Sequence, residues 1–218
     1  VLQIITTTLY KFALRKAKKV FFQNEDNLLF MKNKGIVRAN YDLLPGSGVN
    51  LKQYRAMPYP DGDTIDFIFV ARVMKEKGID ELFAACERLY DEGEVFRLDL
   101  VGFFDDDYEA QVNQLVADGI AVFHGFQTEP RPYYAATDCV VLPSYHEGMS
   151  NVLLEGAATG RPLITSDIHG CKEAVDEGVT GLLCAVKDTD SLYEQMLRMA
   201  RSGAQVLHDR CVELAQRH

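Results

Sequence analysis

Tryptophan is absent from the 218-residue sequence, and its cysteines include no C-x-x-C pair. The five cysteines are scattered along the chain, at Cys86, Cys139, Cys171, Cys184 and Cys211. Most of them lie in apolar contexts, which favours buried free thiols in a reducing compartment over a disulfide framework. We therefore expect a cytoplasmic protein.

Long apolar runs and an excess of positive charge are also missing. No apolar run is long enough to span a bilayer, and no signal peptide is evident. The net charge of −9 argues against non-specific binding to nucleic acid or to an acidic membrane face. The sequence opens mid-pattern without an initiating methionine, so we expect a piece of a longer protein. Hydrophobic residues, at 47%, are ample for a globular core.

Short apolar segments alternate with helical patterns through most of the chain. Strands are predicted over residues 65–71, 95–101, 121–124, 139–142, 162–165 and 182–184. Helices are predicted over 79–90, 108–117, 131–136, 151–158 and 171–176, with closing helices over 190–199 and 204–216. This alternation predicts an α/β fold with a Rossmann-like parallel sheet and helices on both faces.

The first 45 residues have a different pattern. We predict a helix over 1–17, a strand over 19–23, and a short helix through Met31 that Asn24 and its neighbours cap. The segment Pro45-Gly46-Ser47-Gly48 then predicts a flexible hinge or turn, in which glycines also let backbone approach a phosphate. We place a boundary there, between residues 1–45 and 46–218.

One stretch, residues 142–155, combines a strand end, a polar loop and a helix start. Ser150 or Asn151 is suited to cap the helix. Unpaired amides at such a helix start attract anions, above all phosphate. Glu147 and Glu155 flank this helix start, and carboxylates accept hydrogen bonds from sugar hydroxyls. The stretch therefore suggests a nucleotide-sugar site.

The sequence here resembles a known family. Glu147 and Glu155 have the E-x7-E spacing of the retaining GT-B glycosyltransferases of family 4, the glycosyl transferases group 1. The segment Phe-Val-Ala-Arg72-Val-Met-Lys-Glu-Lys77-Gly is similar to the family's Arg…Lys-Gly phosphate motif. Two further segments, Pro-Tyr-Tyr-Ala-Ala-Thr-Asp138 and the run from Gly-Arg-Pro to Glu173, follow in the family's order. The resemblance covers about residues 67–184.

The resemblance implies one half of a GT-B fold. Residues 46–218 would be the nucleotide-sugar-binding domain, and residues 1–45 a remnant of the N-terminal acceptor domain with the interdomain linker. The donor would be a nucleotide-diphosphate sugar, most commonly a UDP-sugar, and no metal or other cofactor is implied. The acceptor would be a glycan or a lipid-linked molecule in polysaccharide biosynthesis. Peripheral association of the full-length enzyme with the inner face of the membrane is also implied.

The resemblance further assigns roles to individual residues. Arg72 and Lys77 would stabilise the leaving diphosphate, because cationic groups gain most where negative charge develops. Glu147 would face the donor sugar or the reaction centre, and Glu155 would accept hydrogen bonds from the ribose hydroxyls. The other residues implied to contact the donor are Gly48, Gly125, Phe126, Gly148, Met149, Ser150, Asn151 and Val152.

Other interpretations stay open from the residues alone. If the family resemblance is set aside, solvated surface charges are the favoured interpretation of Arg72 and Lys77. A structural role at the end of a strand is the favoured interpretation of His124. The run Asp105-Asp106-Asp107 invites a metal site, but helix capping and solvation are favoured. A dinucleotide-binding oxidoreductase would need G-x-G-x-x-G after the first strand of the parallel sheet, and the sequence lacks it there. A non-catalytic module that binds a nucleotide-sugar is the remaining alternative.

Overall fold

The computed structural model describes residues 2–44, 46–62 and 64–203, together with Leu207 and Cys211. The strands are β1 (Val20–Phe22), β2 (Tyr41–Leu43), β3 (Ile65–Val70), β4 (Phe96–Val101), β5 (Ala121–Gly125), β6 (Cys139–Leu142), β7 (Leu163–Ser166) and β8 (Gly181–Cys184). The α-helices are α1 (Leu2–Ala13), α2 (Glu25–Asn33), α3 (Ile79–Asp91), α4 (Glu109–Ala117), α5 (Arg131–Ala136), α6 (Asn151–Ala158) and α7 (Thr189–Arg198).

Six strands form one parallel sheet in the order β5-β4-β3-β6-β7-β8. Every residue of β6 and β7 is buried, as expected for strands that helices cover on both faces. The chain order reverses between β3 and β6, which are neighbours in space. The predicted fold class, a Rossmann-like parallel sheet with helices on both faces, is confirmed.

The N-terminal residues form a separate small unit. Its strands β1 and β2 pair in parallel, with Val20 opposite Tyr41. Its core is a cluster of four buried residues: Phe22, Leu28, Ile36 and Val37. The sequence did not predict β2, because this three-residue strand has no fully buried position and therefore no apolar run. The predicted cap is present, since Asn24 Oδ1 accepts a hydrogen bond from Asn27 N at the start of α2.

Two predicted helices differ from the structure. The helix predicted over 171–176 is a single 3₁₀ turn, Lys172–Ala174, because Val175 is extended and the Thr180 hydroxyl accepts the amide of Asp176. The helix predicted over 1–17 ends at Ala13 and continues as a 3₁₀ turn through Lys16. The closing helix over 204–216 lies outside the described residues, apart from Leu207 and Cys211, which are helical and buried.

The described helices include none that combines the length and the apolar character needed to cross a membrane. The longest of them, α3, has thirteen residues and packs against α7.

Candidate functional site

The loops that carry the predicted site residues share one edge of the large sheet. Because all six strands are parallel, their carboxyl ends lie along this edge. Arg72 follows β3 and Glu147 follows β6, on either side of the point where the strand order reverses. Open α/β sheets bind ligands in the crevice at such a point.

The loops after β3 and β6 pack tightly against each other. Gly78 ends the turn after β3 in the left-handed region, with φ 73°, and a Cβ there would lie 2.8 Å from the carbonyl carbon of Pro143. The amide of Tyr145 donates to Glu76 O at 2.9 Å, which fastens the second loop to the first. Only glycine combines this backbone conformation with this close approach.

Lys77 and Glu147 meet where these loops touch. Lys77 Nζ lies 2.5 Å from Glu147 Oε1, and the Ser144 hydroxyl donates to the same oxygen at 2.9 Å. The two charged side chains are only 18% and 14% exposed. An ion pair this sheltered is screened less by salt than a surface pair, so its charges act strongly on a neighbouring ligand.

The turn between Glu147 and α6 is fixed by Gly170. The Gly170 carbonyl accepts the amide of Ser150 at 2.8 Å. Ser150 also caps α6 through its hydroxyl, which confirms one of the two predicted caps. The Ser150 amide is therefore occupied and is not free to donate to a ligand. In the described part of the chain, the amides of Asn151 and Val152 in the first turn of α6 donate to no acceptor.

The crossing segment after residue 45 lies against the same turn. The Ser47 hydroxyl donates to Asn151 Oδ1 at 2.8 Å. A Cβ on Gly46 would lie 2.5 Å from Met149 Cγ, so Gly46 packs on that side chain. Gly48 is more open, since no atom lies within 4 Å of the position that a Cβ would take. The structure thus brings Met149 and Asn151 into contact with the crossing segment.

Glu155 lies in the second turn of α6 and is partly buried. The Tyr134 hydroxyl donates to Glu155 Oε2 at 3.1 Å, and Tyr54 hydrogen-bonds the same carboxylate. Burial raises the pKa of Glu155, while the two tyrosine hydrogen bonds oppose that rise. Burial and the nearby Glu155 charge raise the pKa of Tyr54 to about 12. Both tyrosines therefore stay protonated and act as donors.

A buried arginine supports these tyrosines. Arg161 is fully buried, and its Nε donates to the Tyr134 carbonyl at 2.8 Å. One of its terminal nitrogens donates to Pro58 O at 2.8 Å, near the segment that carries Tyr54. Arg161 thus holds the backbone of both tyrosine-bearing segments, and the tyrosines in turn orient Glu155.

Arg72 pairs with a different acid from the one that pairs with Lys77. Its guanidinium lies 2.5 Å from Asp105 Oδ2, and both side chains are substantially exposed. Asp106 accepts the amide of Lys75 at 2.9 Å. The acidic run therefore ties the loop after β4 to the loop after β3. The expectation that this run caps a helix is wrong, since no side chain caps the start of α4.

The loop after β5 carries the remaining predicted residues. Gly125 O accepts the amide of Gly102 at 3.0 Å, which joins the loops after β5 and β4. Phe126 is 65% exposed and packs edge-on against Phe103, at 6.0 Å between ring centroids. His124 has a structural environment, as favoured above, because its Nε2 lies 2.6 Å from Asp99 Oδ1.

Sequence reasoning missed the partners of the site residues. Asn24, Tyr54, Ser144 and Asp105 each contact a predicted residue, yet none of them was assigned to the site. Tyr134 lay inside a recognised motif without a role. Polar residues close to a motif were the available signal, but their pairing depends on loops that meet only in the folded chain.

The chain is an α/β protein with a doubly wound parallel sheet, and the point where its strand order reverses carries an ion pair and free helix amides, groups that suit a ligand with a phosphate. Residues 64–202 match the family model described as glycosyl transferases group 1, and the chain belongs to that family.

Curated relatives cover most of the chain. One, from Campylobacter jejuni, is an N,N'-diacetylbacillosaminyl-diphospho-undecaprenol alpha-1,3-N-acetylgalactosaminyltransferase, 25% identical over 93% of this chain and 59% of its own length. Another is the amylovoran biosynthesis glycosyltransferase AmsK of Erwinia amylovora, 30% identical over 72% of this chain and 40% of its own length. The chain thus spans roughly two fifths to three fifths of the length of these relatives.

Solved structures show the same fold. The Anabaena protein HepE, in complex with UDP and glucose, superimposes with a TM-score of 0.81 at 17% identity, over 100% of this chain and 64% of that one. Sucrose-phosphate synthase from Thermosynechococcus elongatus gives 0.78 at 24% identity, over 97% of this chain and 56% of that one.

Proposed function

We propose that this chain carries the donor-binding part of a retaining, metal-independent glycosyltransferase that uses a UDP-sugar. The observation that carries the proposal is the sheltered Lys77–Glu147 pair beside the free amides of α6. A cation and amide donors suit a diphosphate, and carboxylates suit sugar hydroxyls. Membership of the group 1 family supports the proposal that the chain belongs to a glycosyltransferase.

The leaving diphosphate is the chemical target of the cations. Cleavage of the bond between the sugar and the diphosphate leaves negative charge on the diphosphate, and Lys77 stabilises that charge. Arg72 joins it by turning from Asp105 towards the ligand. Lys77 contacts both Glu147 and the diphosphate. Because the donor sugar is bonded to that diphosphate, Glu147 lies next to the sugar. Retention of configuration is part of this proposal, supported by the resemblance of the Glu147 and Glu155 spacing to that of retaining glycosyltransferases, and we assign no covalent intermediate.

The ribose and the base occupy the neighbouring positions. Tyr134 donates to Oε2 of Glu155, and the carboxylate has further lone pairs for a ribose hydroxyl. Gly48 and the amides of Gly148, Met149, Asn151 and Val152 approach the phosphates and the sugar. The backbone of Gly125 and Phe126 receives the base.

The acceptor is assigned at the level of class. The names of the two relatives include a sugar diphospho-undecaprenol and amylovoran biosynthesis, which supports a lipid-linked or glycan acceptor in polysaccharide assembly. We extend the proposal to peripheral association of the whole protein with the inner face of a membrane. Residues 1–45 then belong to the acceptor domain and linker, and residues 46–218 to the donor domain.

The oxidoreductase alternative lacks support in the first crossover. Between β3 and α3 the chain forms a 3₁₀ turn, Lys75–Lys77, and Gly78 is the one glycine in this connection. Dinucleotide binding needs a glycine-rich turn at this place. The non-catalytic module has the same donor site, and only a transfer assay separates it from an enzyme.

Calorimetric titration with UDP, a UDP-sugar and NAD tests the proposal. We expect weak binding of UDP and the UDP-sugar that survives EDTA, no binding of NAD, and little or no sugar transfer by this chain alone. NAD binding without UDP binding would overturn the proposal, and loss of UDP binding in EDTA would overturn its metal independence. The transfer assay needs a longer protein that contains this chain and matches its relatives in length. If that protein binds UDP-sugars but transfers no sugar to any glycan or lipid-linked acceptor, the non-catalytic module is favoured.

A further inference from the structure

Asn24 links the small N-terminal unit to the turn that carries Glu147. It is 6% exposed, and both ends of its side-chain amide are used. Oδ1 accepts from Asn27 N at 2.9 Å and so caps α2. Nδ2 donates to two backbone carbonyls of the opposite unit, Glu147 O and Gly148 O, each at 3.0 Å.

These two carbonyls are confined from the other side by Gly170. A Cβ on Gly170 would lie 2.6 Å from Glu147 O and 2.7 Å from Gly148 O. Gly170 has φ +92°, so this position already requires glycine. The carbonyls are thus held between Gly170 and Asn24, and both belong to partly buried residues, where a backbone carbonyl gains from a protein donor. Asn24 Nδ2 is the side-chain donor that the described residues supply to both.

Asparagine has the chemistry that this position requires. Its oxygen faces the amides at the start of α2, and its NH₂ group faces the two carbonyls, so each half of the side chain meets its complement. Aspartate keeps the cap but turns an acceptor towards the carbonyls. Serine keeps the cap but is too short to reach them.

We propose that Asn24 is a positioning residue of the donor site, which holds the 147–151 turn in its binding shape from across the junction of the two units. The turn presents the Glu147 carboxylate at one end and the free amides of α6 at the other. Donor affinity therefore depends on the contact between the units. By reciprocity, a bound donor strengthens that contact.

The ligand in this inference rests on the proposed function, whereas the contact between the units does not. Two measurements therefore separate them: hydrogen exchange of the turn without ligand, and affinity for UDP. The useful amides are Ser150, which donates to Gly170 O, and Leu28, which donates to Asn24 O within the first turn of α2.

The main variant is Asn24→Ser, with Asn24→Asp as a second variant of nearly identical shape. The matched control is Asn113→Ser, which makes the same change on an exposed position of α4. We expect exchange at Ser150 to accelerate about tenfold in both Asn24 variants, which corresponds to the loss of about one net hydrogen bond. Exchange at Leu28 should stay within about twofold of wild type, because both variants keep the cap.

UDP affinity should fall about tenfold in Asn24→Ser and stay unchanged in Asn113→Ser, because only the former releases the turn. Unchanged exchange at Ser150 in both Asn24 variants would overturn the inference, whether or not UDP binds. Faster exchange with wild-type UDP affinity would overturn the positioning role. If the wild-type chain binds no UDP, the proposed function fails and the positioning role fails with it, while exchange at Ser150 still decides the contact.

Discussion

Lys77 Nζ lies 2.5 Å from Glu147 Oε1, although the two residues are 70 positions apart in the sequence. The pair forms because β3 and β6 are adjacent in the sheet and their following loops pack together. It places one positive and one negative group where the strand order reverses. A diphosphate and a sugar need groups of these two kinds side by side.

Substitution of Lys77 by methionine should weaken UDP binding by about tenfold or more. Methionine is similar in length to lysine but has neither its charge nor its hydrogen-bond donors. Hydrogen bonds to charged groups contribute about 1.5–3 kcal/mol. Calorimetry measures the effect. Lys75→Met is the matched control, because Lys75 belongs to the same turn but is 66% exposed beside Asp80. An equal loss of UDP affinity in the control would mean that Lys77 acts only through its positive charge and not through a specific contact.

Asp105→Asn should tighten UDP binding about two- to fivefold. Asp105 holds the Arg72 guanidinium in an exposed ion pair, and such pairs contribute about 0.2–1 kcal/mol. The substitution frees Arg72 for the diphosphate. Asp107→Asn removes the same charge from the same acidic run and controls for it. If both variants gain equally in a calorimetric titration, the gain is long-range electrostatics and Arg72 has no specific part in it.

Tyr134→Phe should reduce the preference for UDP over 2′-deoxy-UDP or 3′-deoxy-UDP. The variant keeps the buried ring but removes the hydroxyl that donates to Glu155. That hydrogen bond opposes the rise in the pKa of Glu155 caused by burial, so its loss raises the pKa further. The same loss removes the contact that orients the carboxylate towards the ribose hydroxyls. Affinities for the three nucleotides measure the preference, and Tyr133→Phe serves as control. A full preference in Tyr134→Phe would show that the tyrosine does not orient Glu155.

Asp66 predicts a dependence of stability on pH. Burial raises the pKa of Asp66 to about 6, against an opposing effect of Arg97. Between pH of about 4 and 6 the folded chain binds more protons here than the unfolded chain, so this group's contribution to stability falls as pH rises. Asp66→Asn removes the contribution. Urea unfolding should therefore show the variant gaining on wild type between pH 4 and pH 7, and a constant difference would contradict the raised pKa.

Much of the large sheet was predictable because its strands are apolar runs bounded by turn residues. The predicted strand 139–142 agrees with β6 at both ends, since Cys139 to Leu142 are all buried. Strand β2 was missed because exposed Asp42 and Leu43 give no such signal. The prediction of a helix over 171–176 was wrong because the amide of Asp176 donates to the Thr180 hydroxyl, and this local hydrogen bond competes with helix formation.

The site was predictable as a set of motifs but not as a set of contacts. The spacing of Glu147 and Glu155 is visible in one dimension. The contact of Asn24 with the Glu147 carbonyl joins residues 123 positions apart, and that distance closes only when the two units pack. Asn24 is visible in the sequence as a helix cap, and its second role depends on the fold.

Backbone amide chemical shifts, recorded during titration with UDP, would locate the nucleotide on the chain. We expect the largest shifts to cluster at Lys77 and along 147–152, at the carboxyl edge of the sheet. A separate, largely apolar cavity of about 310 Å³ offers the contrasting location, because it lies between the crossing segment and α6 and is lined by Val49, Leu51 and Ala157. Shifts confined to that cavity, or none at all at a UDP concentration of several millimolar, would contradict binding of the donor at the carboxyl edge of the sheet.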